Sequence, residues 1–256
     1  MKIFLSAIEN AMDTKAHGSQ PIAYLLAKNG VRMRWNLMSF FYMRNKQDLA
    51  CFVRDNSEEV LIDSGAHSFQ KGKQVDWEQY TDEYAQFIRR FDRPNVLGYF
   101  EMDVDNVLGY DKVLLLRKKL EFVSDKIIPV WHKNRGIDDF KKMCQQHQGR
   151  IVAITGFKNE DILDHQYPMF VKYAHEQRCK IHCLGMTRKP ILEAVPFDYT
   201  DSSSWVQNTL YGKIRDRRVT HHYSTVRRGE AFVQSYLAAM ERQEYFYRKW
   251  QCVCKD

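Results

Sequence analysis

The sequence predicts a single α/β domain, a (β/α)₈ TIM-type barrel, and three observations point there. Apolar strand-like runs alternate with helical stretches along most of the chain. Most of those runs lack polar alternation, as parallel strands covered on both faces do. A length of 256 residues suits one barrel with all its crossovers. The rival is an open doubly wound sheet, which loses ground because no Gly-x-Gly-x-x-Gly follows the first strand.

The first strand is expected at Lys2–Ile8. Its single lysine and short apolar run are too brief for a signal peptide. An apolar helix over Pro21–Lys28 and the glycine Gly30 lead into a second strand, Val31–Met38. The remaining strands are Glu59–Ala66, Asn95–Asp103, Lys126–His132, Arg150–Phe157, Lys180–Met186 and Pro196–Asp201. Helical patterns fill the gaps at Trp77–Phe91, Asp111–Phe122, Ile137–His147, Glu160–Cys179 and Lys189–Val195, with Asp111 and Asp138 as N-caps. Gly229–Trp250 reads as one long aromatic-rich amphipathic helix packed on the barrel, so residues 1–256 form one domain without repeat or linker.

Composition narrows the function classes. Apolar residues make up 44% of the chain, enough for a large core, and no apolar run approaches a membrane span. Six cysteines without regular spacing argue against a disulfide framework and for the cytoplasm. The net charge of +7 is concentrated in Lys213, Arg215, Arg217, Arg218, Arg227 and Arg228, with Tyr211 and Tyr223 interleaved. Such a segment suits a surface that tracks phosphates and stacks on bases, although a solvated charged face has the same composition.

Barrel chemistry sits where the strands finish, and reading only those ends yields a short set. Asp63, Ser64 and Gly65 close one strand, with His67 just beyond. Glu101, Asp103 and Asp105 follow the next, then Trp131 with His132, Gly156 with Phe157, and Leu184, Gly185 and Met186. The last strand supplies Asp198, Asp201 and Ser202–Ser204. Any one Asp or Ser could simply cap the helix after it. Together they offer paired carboxylates, the requirement for substitution at a sugar C1′. Glycines at two neighbouring strand ends would let a flat ligand lie against bare backbone. His67, Phe157 and Trp131 would add stacking faces.

On these residues the chain resembles the tRNA-guanine transglycosylase family, which exchanges guanine for a 7-deazaguanine base. The family's Asp-Ser-Gly-Gly-Phe-Gln signature is approximated by Asp63-Ser64-Gly65-Ala66-His67-Ser68. Its base-recognising aspartate matches Asp103, its glycine-bearing strand resembles Ile151–Phe157, and the next resembles His182–Met186. The archaeal nucleophile strand, Phe-Asp-Ser-Ala-Ala-Tyr, resembles Thr200–Trp205 and selects Asp201 over the alternative Asp198. Order and spacing agree over residues 59 to 212.

The resemblance implies Asp201 as nucleophile and Asp63 as proton carrier. Ser64, His67, Asp103, His132, Gly156, Phe157, Leu184, Gly185 and Met186 would surround the base. Three departures stand out: His67 replaces an aromatic, Val130-Trp131-His132 replaces a base-reading glutamine, and the Cys-x-Cys-x-x-Cys zinc subdomain is missing. Cys252 and Cys254 with His221 and His222 are the one conceivable zinc set, and neither metal nor other cofactor is expected. The compact relatives that insert 7-deazaguanines into DNA fit better than the tRNA enzymes, so DNA is the expected polymer and tRNA the alternative. A homodimer is consistent with the resemblance, and no membrane partner is expected. Two further alternatives remain: a metal-independent N-glycoside hydrolase in which Asp63 and His132 activate water, and a non-catalytic nucleic-acid-binding barrel.

Overall fold

The computed structural model describes residues 1–15, 18–69, 75–155, 162–210, 213–214, 217–218 and 225–254; for 14–15, 18, 213–214, 217–218 and 225–228 it describes the backbone alone. Eight parallel strands form the expected barrel. They are β1 (Lys2–Ser6), β2 (Met33–Ser39), β3 (Ser57–Asp63), β4 (Val96–Phe100), β5 in two pieces (Ile127–Ile128 and Val130–Trp131, which counted separately make nine strands of one sheet), β6 (Ile151–Thr155), β7 (Lys180–Leu184) and β8 (Tyr199–Ser202). Proline interrupts β5, because Pro129 has no N–H to give a neighbour. Its first half, Ile127–Ile128, pairs with β4, and its second, Val130–Trp131, pairs with β6. The Pro129 carbonyl still accepts from Ala153 N at 2.9 Å. With β1 pairing both β2 and β8, the circuit closes.

Alternation along the strands separates two cores. Phe4, Trp35, Leu37, Leu61, Phe100, Val130, Ala153 and Tyr199 point inward and fill the barrel. Residues of opposite parity, such as Ile3, Ile62, Ile181 and Cys183, pack against the surrounding helices. The C-terminal helix Thr225–Trp250 lies across the outside of this wall. Its Gln243 amide donates to the carbonyls of Ile3 (2.7 Å) and Trp35 (3.0 Å), and Tyr236 Oη donates to Asn36 at 2.9 Å. Trp250 Nε1 reaches Leu192 O at 2.9 Å.

Several local expectations are corrected. Asp111 and Asp138 do not cap their helices, which run Tyr110–Glu121 and Gly136–Gln146 with Gly109 and Arg135 at the N-caps. Each aspartate instead sits in the first turn, where its charge favours the helix dipole. Asp76 is a true cap, accepting from the amides of Glu78 and Gln79. The helix expected from residue 160 starts at Tyr167, after a 3₁₀ turn at Asp164–Gln166, with Pro168 in its first turn. A hairpin, Met12–Lys15 with Gly18–Pro21, and a helix at Gln47–Asp55 carried no recognised signal. No helix among the described residues is long and apolar enough to cross a membrane.

Candidate active site

The strand ends converge on one mouth of the barrel. Ser6, Ser39, Asp63 and Leu184 are the last residues of β1, β2, β3 and β7, and Asp201 is next to last in β8. Ser39 and Asp63 are partners in register. The β3 end is anchored from outside, where Tyr84 Oη donates to the carbonyls of Ile62 and Phe100, both at 3.2 Å. Tyr80 Oη similarly holds Ser64 O at 2.7 Å. Gly65 then turns the chain with φ +72°, and a Cβ there would lie 2.3 Å from Phe41 Cβ. Glycine is therefore required on both conformational and steric grounds.

Asp201 is held through both of its carboxylate oxygens. Its Oδ1 accepts from Gly185 N at 2.8 Å and lies 3.1 Å from the Nε2 of His182, a fully buried ring. Its Oδ2 accepts from Ser6 Oγ at 3.0 Å. Burial alone would raise the Asp201 pKa, but His182, the Gly185 amide and Ser6 outweigh it, leaving the carboxyl below its ordinary value.

Asp63 is treated in the opposite way. Burial pushes its pKa up to about 7, reinforced by the charges of Asp103 and Asp201, against the Gly65 amide at 3.1 Å and the Ser39 hydroxyl. One mouth thus holds a carboxylate stabilised as the anion and a carboxyl poised to carry a proton near neutrality.

The third carboxylate, Asp103, follows β4 and lies 2.5 Å from His132 Nε2. Burial disfavours charge on His132, but the bond to Asp103 and the charges of Asp103 and Asp105 prevail and raise its pKa. Asp105 is buried against Arg135, whose Nε and Nη2 lie 3.2 and 3.1 Å from Oδ2, while Arg135 Nη1 donates to Val130 O at 2.6 Å. Asp103, Asp105 and His132 are the one group of described residues whose donor atoms could surround a metal, all within 4.8 Å. Arg135 already neutralises Asp105 there, so the set is arranged as a hydrogen-bonding platform as much as a cation site.

Several of the other expected site residues lie elsewhere. Asp198 sits before β8 at the opposite end of the barrel, where its Oδ2 accepts from Ile181 N and meets His175 Nε2, both at 2.8 Å. A nucleophile at the Asp63 mouth cannot come from there. Met186 is 1% exposed and packs among the outer helices. The φ of +63° at Gly185 turns the chain at the end of the strand. Leu184, before that turn, packs against the barrel interior. Trp131 also points outward, donating to Gly136 O and packing on Phe140 and Phe170, so it offers no stacking face in the mouth. Ser64 is buried behind the strand end, and His67 is exposed on a 3₁₀ turn at Ala66–Phe69. Glu101 turns away too, forming a buried ion pair with Arg117 at 2.6 Å.

Gly156 and Phe157 lie outside the described residues, as do Arg215, His221 and His222 and the side chains of Lys213, Arg217, Arg218, Arg227 and Arg228. Cys254 Sγ faces the carbonyls of Pro196 and Phe197 at 3.4 and 3.3 Å, and Cys252 is exposed.

Ser6, Glu9, Ser39, His182 and Arg135 belong to the mouth without having been singled out from the sequence. Ser6 was legible as a polar residue within the first predicted strand. His182 could be found only from its inward parity once the register was known.

No protein-family model and no curated protein matches this chain. Among solved structures, a Burkholderia cenocepacia J2315 protein, described provisionally as a lyase/mutase, is similar over 91% of this chain and 92% of its own. The identity is 10% and the TM-score 0.45.

Proposed function

We propose that this chain is an enzyme, a transglycosylase that exchanges guanine in a nucleic acid for a 7-deazaguanine base. The observation that carries this reading is the opposite proton affinity of Asp63 and Asp201 at one barrel mouth. The Asp201 carboxylate attacks C1′ as the bond from C1′ to the base breaks, giving a sugar ester on Asp201. Asp63, carrying a proton near pH 7, delivers it to the departing guanine. The resulting Asp63 carboxylate then takes the ring N–H proton of the incoming base. That base attacks C1′ and releases Asp201.

Asp103 accepts from the N1–H and 2-amino group of guanine, a donor pair that adenine lacks. His132, bonded to Asp103, fixes the orientation of that acceptor. The target nucleotide must leave any stack to reach a barrel mouth. The net charge of +7 favours a polyanion, and of the two polymers DNA is proposed over tRNA.

Incorporation of radiolabelled guanine into duplex DNA, single-stranded DNA and unmodified tRNA tests this, with Asp201→Ala as control. Label should enter DNA and fall at least about 10³-fold in the control. Label in tRNA alone would reassign the polymer. Release of free guanine with no label uptake would replace exchange by hydrolysis, and no reaction on any polymer would overturn the reading.

A further inference from the structure

A second buried carboxyl stands behind Asp63. Glu9 lies in a 3₁₀ turn, Ile8–Asn10, directly after β1, and is 2% exposed. The turn is entered through Ala7 with φ +69°, a left-handed backbone that a non-glycine residue adopts only at a cost. Glu9 Oε1 accepts from the Ser39 amide at 3.2 Å, while Oε2 is buried with no hydrogen-bond partner. Ser39 is the in-register neighbour of Asp63. Its hydroxyl makes no well-angled hydrogen bond, yet faces Asp63 closely enough to lower that group's proton affinity. Gly65, whose amide holds Asp63, leaves only 2.7 Å between a notional Cβ and Ser39 Oγ. Ser39 therefore stands between Glu9, in the turn after β1, and Asp63, at the end of β3.

We propose that Glu9 and Asp63 act as one proton-sharing carboxyl pair across Ser39, making Glu9 a positioning residue for the acid–base step. The catalytic meaning rests on the transglycosylase reading, whereas the pair itself does not. A buried carboxyl with an unsatisfied oxygen is costly as an anion. Burial accordingly raises Glu9 to about 7, helped by the charge of Asp63 and opposed by the Glu9 and Ser39 backbone and by Lys46. Lys46 Nζ donates to the Glu9 carbonyl at 3.4 Å. On the Asp63 side the neighbouring groups are Asp103, Asp201, Tyr80 and Tyr84. Two such carboxyls lose their protons in steps that belong to the pair. The second proton is held to higher pH than either group would hold it alone.

The test is a carboxyl ¹³C NMR titration of the full chain from pH 4 to 9, on the unmodified protein, Glu9→Gln and Asp63→Asn. In Asp63→Asn the Glu9 midpoint should fall by about half a pH unit or more, the reciprocal of a shared proton. In Glu9→Gln the Asp63 curve should lose its high-pH portion, and the alkaline limb of guanine exchange should move to lower pH. Midpoints unmoved in both variants would overturn the pair. An exchange profile of unchanged shape in Glu9→Gln would overturn its role in catalysis. Absence of exchange in the unmodified chain would overturn the transglycosylase reading, and with it that role, while the NMR titration still decides the pair.

Discussion

The buried ring of His182 on β7 and the carboxylate of Asp201 on β8 are joined edge to edge, with Nε2 3.1 Å from Oδ1. Phe100 packs edge-on against the same ring at 5.0 Å, fixing its plane from within the barrel. Asp201 is thus presented by the barrel interior itself, and its anionic form depends on a residue far from any loop.

His182→Ala should raise the Asp201 pKa and move the acidic limb of guanine exchange to higher pH. Removing one such donor should lower kcat by about 10²-fold with little change in KM. Steady-state exchange from pH 4 to 9 measures both. A uniform fall in rate without movement of the limb would mean that the ring only packs.

Asp63 should make stability depend on pH in a defined direction. Its folded pKa of about 7 stands above the ordinary value of 3.8. The folded state therefore binds the extra proton between those values, so the contribution of Asp63 to stability is greatest below about pH 4 and is lost as pH rises towards 7. Asp63→Asn removes this loss. The variant's Tm should exceed that of the unmodified protein at pH 8, by a margin that shrinks at pH 5. Scanning calorimetry at the two pH values reads the difference, and an equal margin at both would contradict the assignment.

Gly65→Ala should be severely destabilising. The left-handed φ of +72° and a Cβ placed 2.3 Å from Phe41 Cβ and 2.8 Å from Phe41 N leave no relaxed geometry. A loss of about 2 kcal/mol or more is expected, measured by urea unfolding. Gly30→Ala serves as control: it shares a positive φ but has no atom within 4 Å of the added Cβ.

The buried pair of Glu101 and Arg117 should behave as structure, not chemistry. Both side chains are at most 5% exposed, and Glu101 also accepts from Val130 N at 2.6 Å. Arg117→Met leaves the carboxylate unpaired and should cost about 3–5 kcal/mol, with protein that remains folded retaining its guanine-exchange rate. Urea melts combined with exchange assays separate the two effects.

The sequence by itself determined the barrel. Its strands are apolar on both faces and its helices are spaced as crossovers, so local pattern and global topology agree. It also determined that Asp63, Asp103, His132 and Asp201 stand at strand ends, because each lies where an apolar run finishes. What only the tertiary structure decided is which side chains face the mouth. Inward direction depends on strand parity and on where each strand stops. One turn, at Gly185, leaves Leu184 inside and sends Met186 to the outer core, and a difference of three positions puts Asp198 at the far end from Asp201. Glu9 and His182 carried no local signal, since each acquires its role from a partner on another strand. Ser6 shows the distance involved, for its hydroxyl meets Asp201 across 195 residues of chain. Proton affinities were likewise invisible in one dimension. They follow from burial and from neighbours that meet only when the barrel closes.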